Sequence, residues 1–175
     1  MLGKRNIYLI GPMGSGKSAV GRHLSRLLKI PFHDSDVEVE KRTGVDIPFI
    51  FEREGEVGFR QREREAIALL TTLEPIVLAT GGGAVLDPDN RRLLAAHGCV
   101  VYLQASPAQQ LHRVGAGRSR PLLHNVDPAV RLQQLCIERE PLYREIADHI
   151  VSTDNRRVHK VAEFILRATG PDAPT

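Results

Sequence analysis

Five short, mostly unbroken apolar runs divide the chain: NIYLI at 6–10, IPFHD at 30–34, PIVLA at 75–79, CVVYL at 99–103 and DHIVST at 148–153. Unbroken runs, as opposed to strict apolar/polar alternation, mark strands covered on both faces in a parallel sheet. Between them the pattern changes to helical period. After the first run, SAVGRHLSRLL sets Val20, Leu24, Leu27 and Leu28 at i, i+4, i+7 and i+8, which makes one apolar helix face. Strand and helix alternating almost throughout predicts an α/β fold: a single three-layer domain with a five-stranded parallel sheet flanked by helices. Ligands of such a sheet lie at the carboxyl ends of its strands.

One segment breaks the rhythm. VGAGRSRPLLHNVDP at 114–128 has glycine, proline and arginine but no periodicity. Loops of this length in compact domains are usually functional lids or disordered. A lid at about 114–126, closing over a reactive phosphate and bringing Arg118 or Arg120 to it, is the functional expectation; a solvated surface loop is the plain one. The final residues, 171–175, read as a disordered tail after a domain spanning 1–170.

Composition narrows the class. With 175 residues, 42% of them hydrophobic, the chain suits one domain with an ordinary core. The 24 Lys+Arg and 21 Asp+Glu leave a net charge of +3, but the charges are interspersed, which argues against a nucleic-acid partner. Cys99 and Cys136 show no metal-ligand spacing and read as packing residues in a reducing compartment. MLGKR followed by NIYLI superficially resembles a secretory leader, but its apolar run is too short. No run approaches membrane-spanning length. The expectation is a soluble cytoplasmic protein, without a membrane or nucleic-acid partner.

The chemistry begins immediately after the first strand. GPMGSGKS at 11–18 fits G-x-x-x-x-G-K-[ST], with a strand before it and a helix after it, as that motif requires. Its backbone N–H groups form an anion nest, and the helix N-terminus adds partial positive charge. Gly11, Met13, Gly14, Ser15, Gly16, Lys17, Ser18 and Ala19 are the candidate ATP-binding set, with Lys17 reaching the β/γ-phosphates and Ser18 ligating Mg²⁺.

HDSD at 33–36 puts Asp34 and Asp36 at a strand end, where continued extension would point both carboxylates the same way. Asp34 is a candidate to hold a Mg²⁺-bound water, and Asp36 to orient or deprotonate an attacking hydroxyl. The plain alternative is that Asp36 caps the helix DVEVEKRTG. TGGG at 80–83 follows the strand PIVLA and leaves backbone open for close approach, or simply makes a loop. No acidic residue ends that strand, which counts against a motor ATPase or a switch GTPase.

Read in order, DSDVEVEKRTG, IFEREGEVGFRQRE, ATGGGAVL, SRPLL and REPLYRE make the chain resemble the shikimate kinases from about residue 5 to residue 168. The resemblance implies a phosphate-loop kinase fold with a mobile lid, and phosphoryl transfer from ATP, with Mg²⁺, to the 3-hydroxyl of shikimate in aromatic amino-acid synthesis. It implies Asp36 on the substrate hydroxyls, Arg60 and Arg139 on the carboxylate, and Gly81, Gly82 and Gly83 approaching the substrate through backbone. It also implies Arg120 on the transferring phosphate, making Lys17, Asp36 and Arg120 the catalytic set, and a monomer. For adenine it implies Arg113 and Arg156 or Arg157. The family often has a proline after that basic segment, where this chain has Val158 and His159.

Two other functions share these features. A gluconate-type sugar-acid kinase has the same loop and a substrate that also combines carboxylate with hydroxyls. A non-catalytic nucleotide-binding protein would need neither Asp36 nor Arg120.

Overall fold

In the computed structural model, residues 6–115, 121–123 and 125–170 are described. The five expected strands are β1 (Asn6–Ile10), β2 (Phe32–Asp34), β3 (Val77–Ala79), β4 (Gly98–Gln104) and β5 (His149–Ser152). They form one parallel sheet in the order β2-β3-β1-β4-β5. The helices are α1 (Lys17–Leu28), α2 (Ser35–Thr43), α3 (Ile47–Leu70), α4 (Pro88–His97), α5 (Pro107–Val114), α6 (Pro128–Ile146) and α7 (Val158–Thr169).

The unbroken apolar runs have the predicted cause. Ile7 and Leu9 of β1 pack with Val20 and Leu24 of α1 and Val161 and Ile165 of α7. Tyr8 and Ile10, the alternate residues of the strand, enter a second core with Ile67 and Leu70 of α3, Leu94 of α4 and Tyr143 of α6. A smaller core of Val39, Ile50, Phe59 and Ala66 joins α2 to α3. Among the described residues no helix is long and apolar enough to cross a membrane.

The topology also locates the crevice. β1 and β3 are neighbours, yet α1 leads from β1 to β2 on one side, while the chain after β3 leads to β4 on the other. Connections leaving adjacent strands in opposite directions open a cleft at their carboxyl ends.

Two helices carry a local irregularity. Gly55 (φ 70°, ψ −173°) interrupts α3, a backbone conformation that strongly favours glycine. Pro141 lies inside α6. The segment without periodicity is bounded by the end of α5 and the start of α6, with a 3₁₀ turn at Pro121–Leu123. Arg118, Arg120 and the tail 171–175 lie outside the described residues. Cys99 and Cys136 are reduced thiols, half-buried and not fully buried; Cys99 packs against the core around Ile7 and Leu9, as a packing residue does.

Candidate active site

The glycines of the first loop are required by its turns. Gly16 has φ 90° and precedes α1, where its carbonyl accepts from Val20 N–H at 2.9 Å. Gly11 has φ 142°, and a β-carbon there would lie 2.4 Å from the Leu103 carbonyl oxygen of β4. Only glycine fits so close to a neighbouring backbone. Lys17 is almost buried, and its Nζ donates to the carbonyls of Gly11 at 2.7 Å and Pro12 at 2.8 Å. The loop's own oxygens thus hold the ammonium at the first turn of α1.

Asp34 and Asp36 are not side by side on an extended strand. The helix begins at Ser35, so the alternation ends one residue too early for that. Asp34, and not Asp36, caps α2: its Oδ1 accepts from Asp36 N–H at 3.0 Å. Its other oxygen, Oδ2, accepts from Ser18 Oγ at 2.7 Å. This joins the phosphate loop to the end of β2. Two hard oxygen donors therefore face the same cavity, a donor set that fits a magnesium ion completed by phosphate and water. Among the described residues no three His, Cys, Asp or Glu side chains gather as a metal cage. A site of the serine-plus-phosphate kind needs none.

Asp36, in the first turn of α2, reaches across to the glycine turn that follows β3. A β-carbon on Gly81 would lie 2.8 Å from Asp36 Oδ1 and 2.5 Å from Glu63 Oε1. One on Gly83 would lie 2.2 Å from Arg60 Nη2. The glycines thus let the ends of the acidic and basic side chains lie against the turn, and both Gly81 and Gly83 line the acceptor-side cavity. Gly81 N–H is also committed, donating to Ser35 Oγ at 2.9 Å.

Glu63 escaped the sequence reading. It is 1% exposed, and its Oε2 accepts from Arg60 Nη1 at 2.7 Å. Burial pushes its carboxyl up, against the opposing pull of Arg60. For Arg60 burial works against the charge, but Glu63 and Glu56 outweigh it and raise the pKa. The guanidinium is held over the Phe59 ring at 5.2 Å. The i, i+3 spacing of Arg60 and Glu63 on one helix was the available signal.

Two cavities result, each of about 330 Å³. The first is lined by Arg60, Glu63, Arg139, Asp36, Gly83 and an apolar wall that includes Phe51 and Phe59. The second is lined by Gly14, Gly16, Lys17, Ser18, Ala19 and Asp34. They share Met13, Asp36, Glu40, Ile47, Gly81 and Gly82. Arg139 from α6 is 4% exposed, so a long helix distant in sequence supplies the second guanidinium.

The adenine candidates are separate. Arg113 at the end of α5 donates to the carbonyls of Gly14 at 3.0 Å and Thr153 at 2.7 Å, bridging the phosphate loop to the chain after β5. Arg156 is exposed before α7 and lines neither cavity.

The comparisons agree with this geometry. The family model described as shikimate kinase matches residues 13–169. A shikimate kinase of Methylococcus capsulatus is 53% identical over 96% of this chain and 94% of its own length. One of Pseudomonas syringae pv. tomato is 54% identical over 93% of this chain and 94% of its own. A solved shikimate kinase of Acinetobacter baumannii, in complex with shikimate, superposes with a TM-score of 0.91 at 48% identity, covering 93% of this chain and 91% of that one. A gluconokinase of Sinorhizobium meliloti, at 16% identity and a TM-score of 0.60 over 95% of this chain and 91% of its own, shares the fold alone. On its sequence and its structural likeness, the chain belongs to the shikimate kinase family.

Proposed function

We propose that this protein transfers the terminal phosphoryl group of ATP to the 3-hydroxyl of shikimate, releasing ADP and shikimate 3-phosphate. The observation that carries the reading is the shared wall: Asp36 lines both the phosphate-loop cavity and the cavity holding Arg60 and Arg139. A hydroxyl held at Asp36 lies between a carboxylate grip and a triphosphate grip.

The acceptor's carboxylate binds between Arg60 and Arg139, whose planar forks suit two oxygens. Its ring lies against Phe51 and Phe59. Asp36 accepts the hydrogen bond of the attacking hydroxyl, and its proton as the new P–O bond forms and the bond to ADP breaks. Lys17 leaves the loop carbonyls to neutralise the phosphates. Arg120 of the lid contacts the transferring phosphoryl, where charge spreads over the equatorial oxygens. Ser18, with Asp34 behind it, would hold Mg²⁺, which would supply positive charge against the triphosphate. Arg113 and Arg156 flank the adenine. The enzyme works as a cytoplasmic monomer.

A coupled assay offering shikimate, gluconate and nucleoside monophosphates tests the reading. Turnover of about 1–100 per second is expected with shikimate. Faster turnover of gluconate overturns it.

A further inference from the structure

Tyr143 lies one helical turn beyond Arg139 on α6, and it is 1% exposed. Its ring stacks on Tyr102 of β4, with centroids 4.9 Å apart and planes 25° from parallel. Its hydroxyl donates to the carbonyl of Gly82 and also meets the Arg139 side chain. Burial pushes the phenol's pKa up, so the group keeps its proton and stays a donor. Nothing in the mechanism above uses this contact, yet Gly82 is part of the wall common to both cavities.

A trans peptide holds its C=O and N–H on opposite sides of the chain. Drawing the Gly82 carbonyl toward α6 therefore turns the Gly83 N–H the other way, and Gly83 lines the acceptor cavity. A free glycine turn has no such preference, because it reorients readily. With its carbonyl facing inward it would set a partial negative charge against an anionic, hydroxyl-rich acceptor. Gly81 N–H, already bonded to Ser35 Oγ, is not the donor in question.

We propose that Tyr143 is a positioning residue for the acceptor: it fixes the Gly82–Gly83 peptide so that the turn offers amide hydrogen, and not carbonyl oxygen, to the substrate. The inference rests on the assignment of that cavity to shikimate. One helix thereby carries both a grip on the carboxylate and the brace for the backbone opposite.

Tyr143→Phe keeps the ring and removes the hydroxyl. In the full-length protein its KM for shikimate is expected to rise about fivefold, the effect of one net hydrogen bond, with KM for ATP unchanged. Because the hydroxyl also meets Arg139, the Gly83 amide proton must in addition lose its shift on shikimate titration in Tyr143→Phe, and a shift equal to that of the unmodified chain overturns the proposal. Tyr102→Phe, which leaves the Gly82 contact intact, is expected to match the unmodified enzyme. An unchanged shikimate KM in Tyr143→Phe overturns the proposal. So does a parallel rise in both KM values with a lowered Tm, or an equal effect of Tyr102→Phe. If the unmodified enzyme does not turn over shikimate, the functional assignment itself has failed. If Tyr143→Phe does not fold, amide NMR of the unmodified chain decides. On titration with shikimate the Gly83 amide proton is expected to shift more than that of Gly81; the reverse order overturns the proposal.

Discussion

Gly83 sits directly beneath the Arg60 guanidinium, with 2.2 Å between a β-carbon built on the glycine and Arg60 Nη2. The backbone there (φ −95°, ψ 3°) is open to alanine, so the obstacle is contact and not conformation. Because the far end of a long side chain yields first, Gly83→Ala is expected to fold and to displace the guanidinium. KM for shikimate should rise about tenfold or more, as a charge-assisted bond is lost. Affinity for an ATP analogue, measured by calorimetry, should not change.

Asp36→Asn keeps the side chain's shape and the backbone bond from Asp36 N–H to Asp34. Losing the carboxylate at the wall between the cavities is expected to lower kcat by about 10²–10⁴. The ATP analogue should still bind, because the phosphate loop is untouched. Loss of that binding would misplace the residue.

Ser18→Ala removes the hydroxyl that links the phosphate loop to Asp34. The α2 cap uses the other carboxylate oxygen and survives. The Mg²⁺ concentration giving half-maximal rate is therefore expected to rise about tenfold, with Tm nearly unchanged. Rates measured across a magnesium series at fixed ATP check this.

Asp87 tests stability through a helix cap. It caps α4 through Asp89 N–H at 2.8 Å and takes Arg64 at 2.6 Å. Burial opposes its charge, but these hydrogen bonds and Arg64 leave its carboxyl below the ordinary value. Arg64 is 54% exposed, so the cap carries most of the effect. Asp87→Ala is expected to cost about 1 kcal/mol, or about 2–4 °C in Tm for a domain of this size. A depressed folded pKa stabilises above the ordinary carboxylate range. The contribution is lost as pH falls through the lowered value. The Tm gap between the two proteins should thus hold from neutral pH down to about 4 and close below it.

Elements set by local chemistry were legible in the sequence. The run at 6–10 and the glycine-rich loop appear where the pattern puts them, since strand and nest are specified locally. The apolar face of α1 holds only in part, because Val20 and Leu24 enter the core while Leu27 and Leu28, at the end of the helix, stay exposed. What sequence hid was set by neighbours. A cap decided one residue early turned Asp34 from a partner of Asp36 into the end of α2. The triple glycine looked like room for a ligand, and it lines the acceptor-side cavity; what the sequence did not show is that Arg60, Glu63 and Asp36, from helices α2 and α3, lie against the same turn. Glu63 lay unread because a carboxylate among many on a charged helix reveals its burial only when Arg60 and the turn at Gly81 close on it.

The partition at Asp36 also bears on inhibition. Met13, Glu40 and Gly82 line both chambers, so the two lie side by side across a boundary that a few side chains and one turn make up. A single compound carrying a ring acid at one end and a polyphosphate at the other can span the boundary. Once either end is seated, the other binds as though its concentration were millimolar, and neither half alone would match the pair.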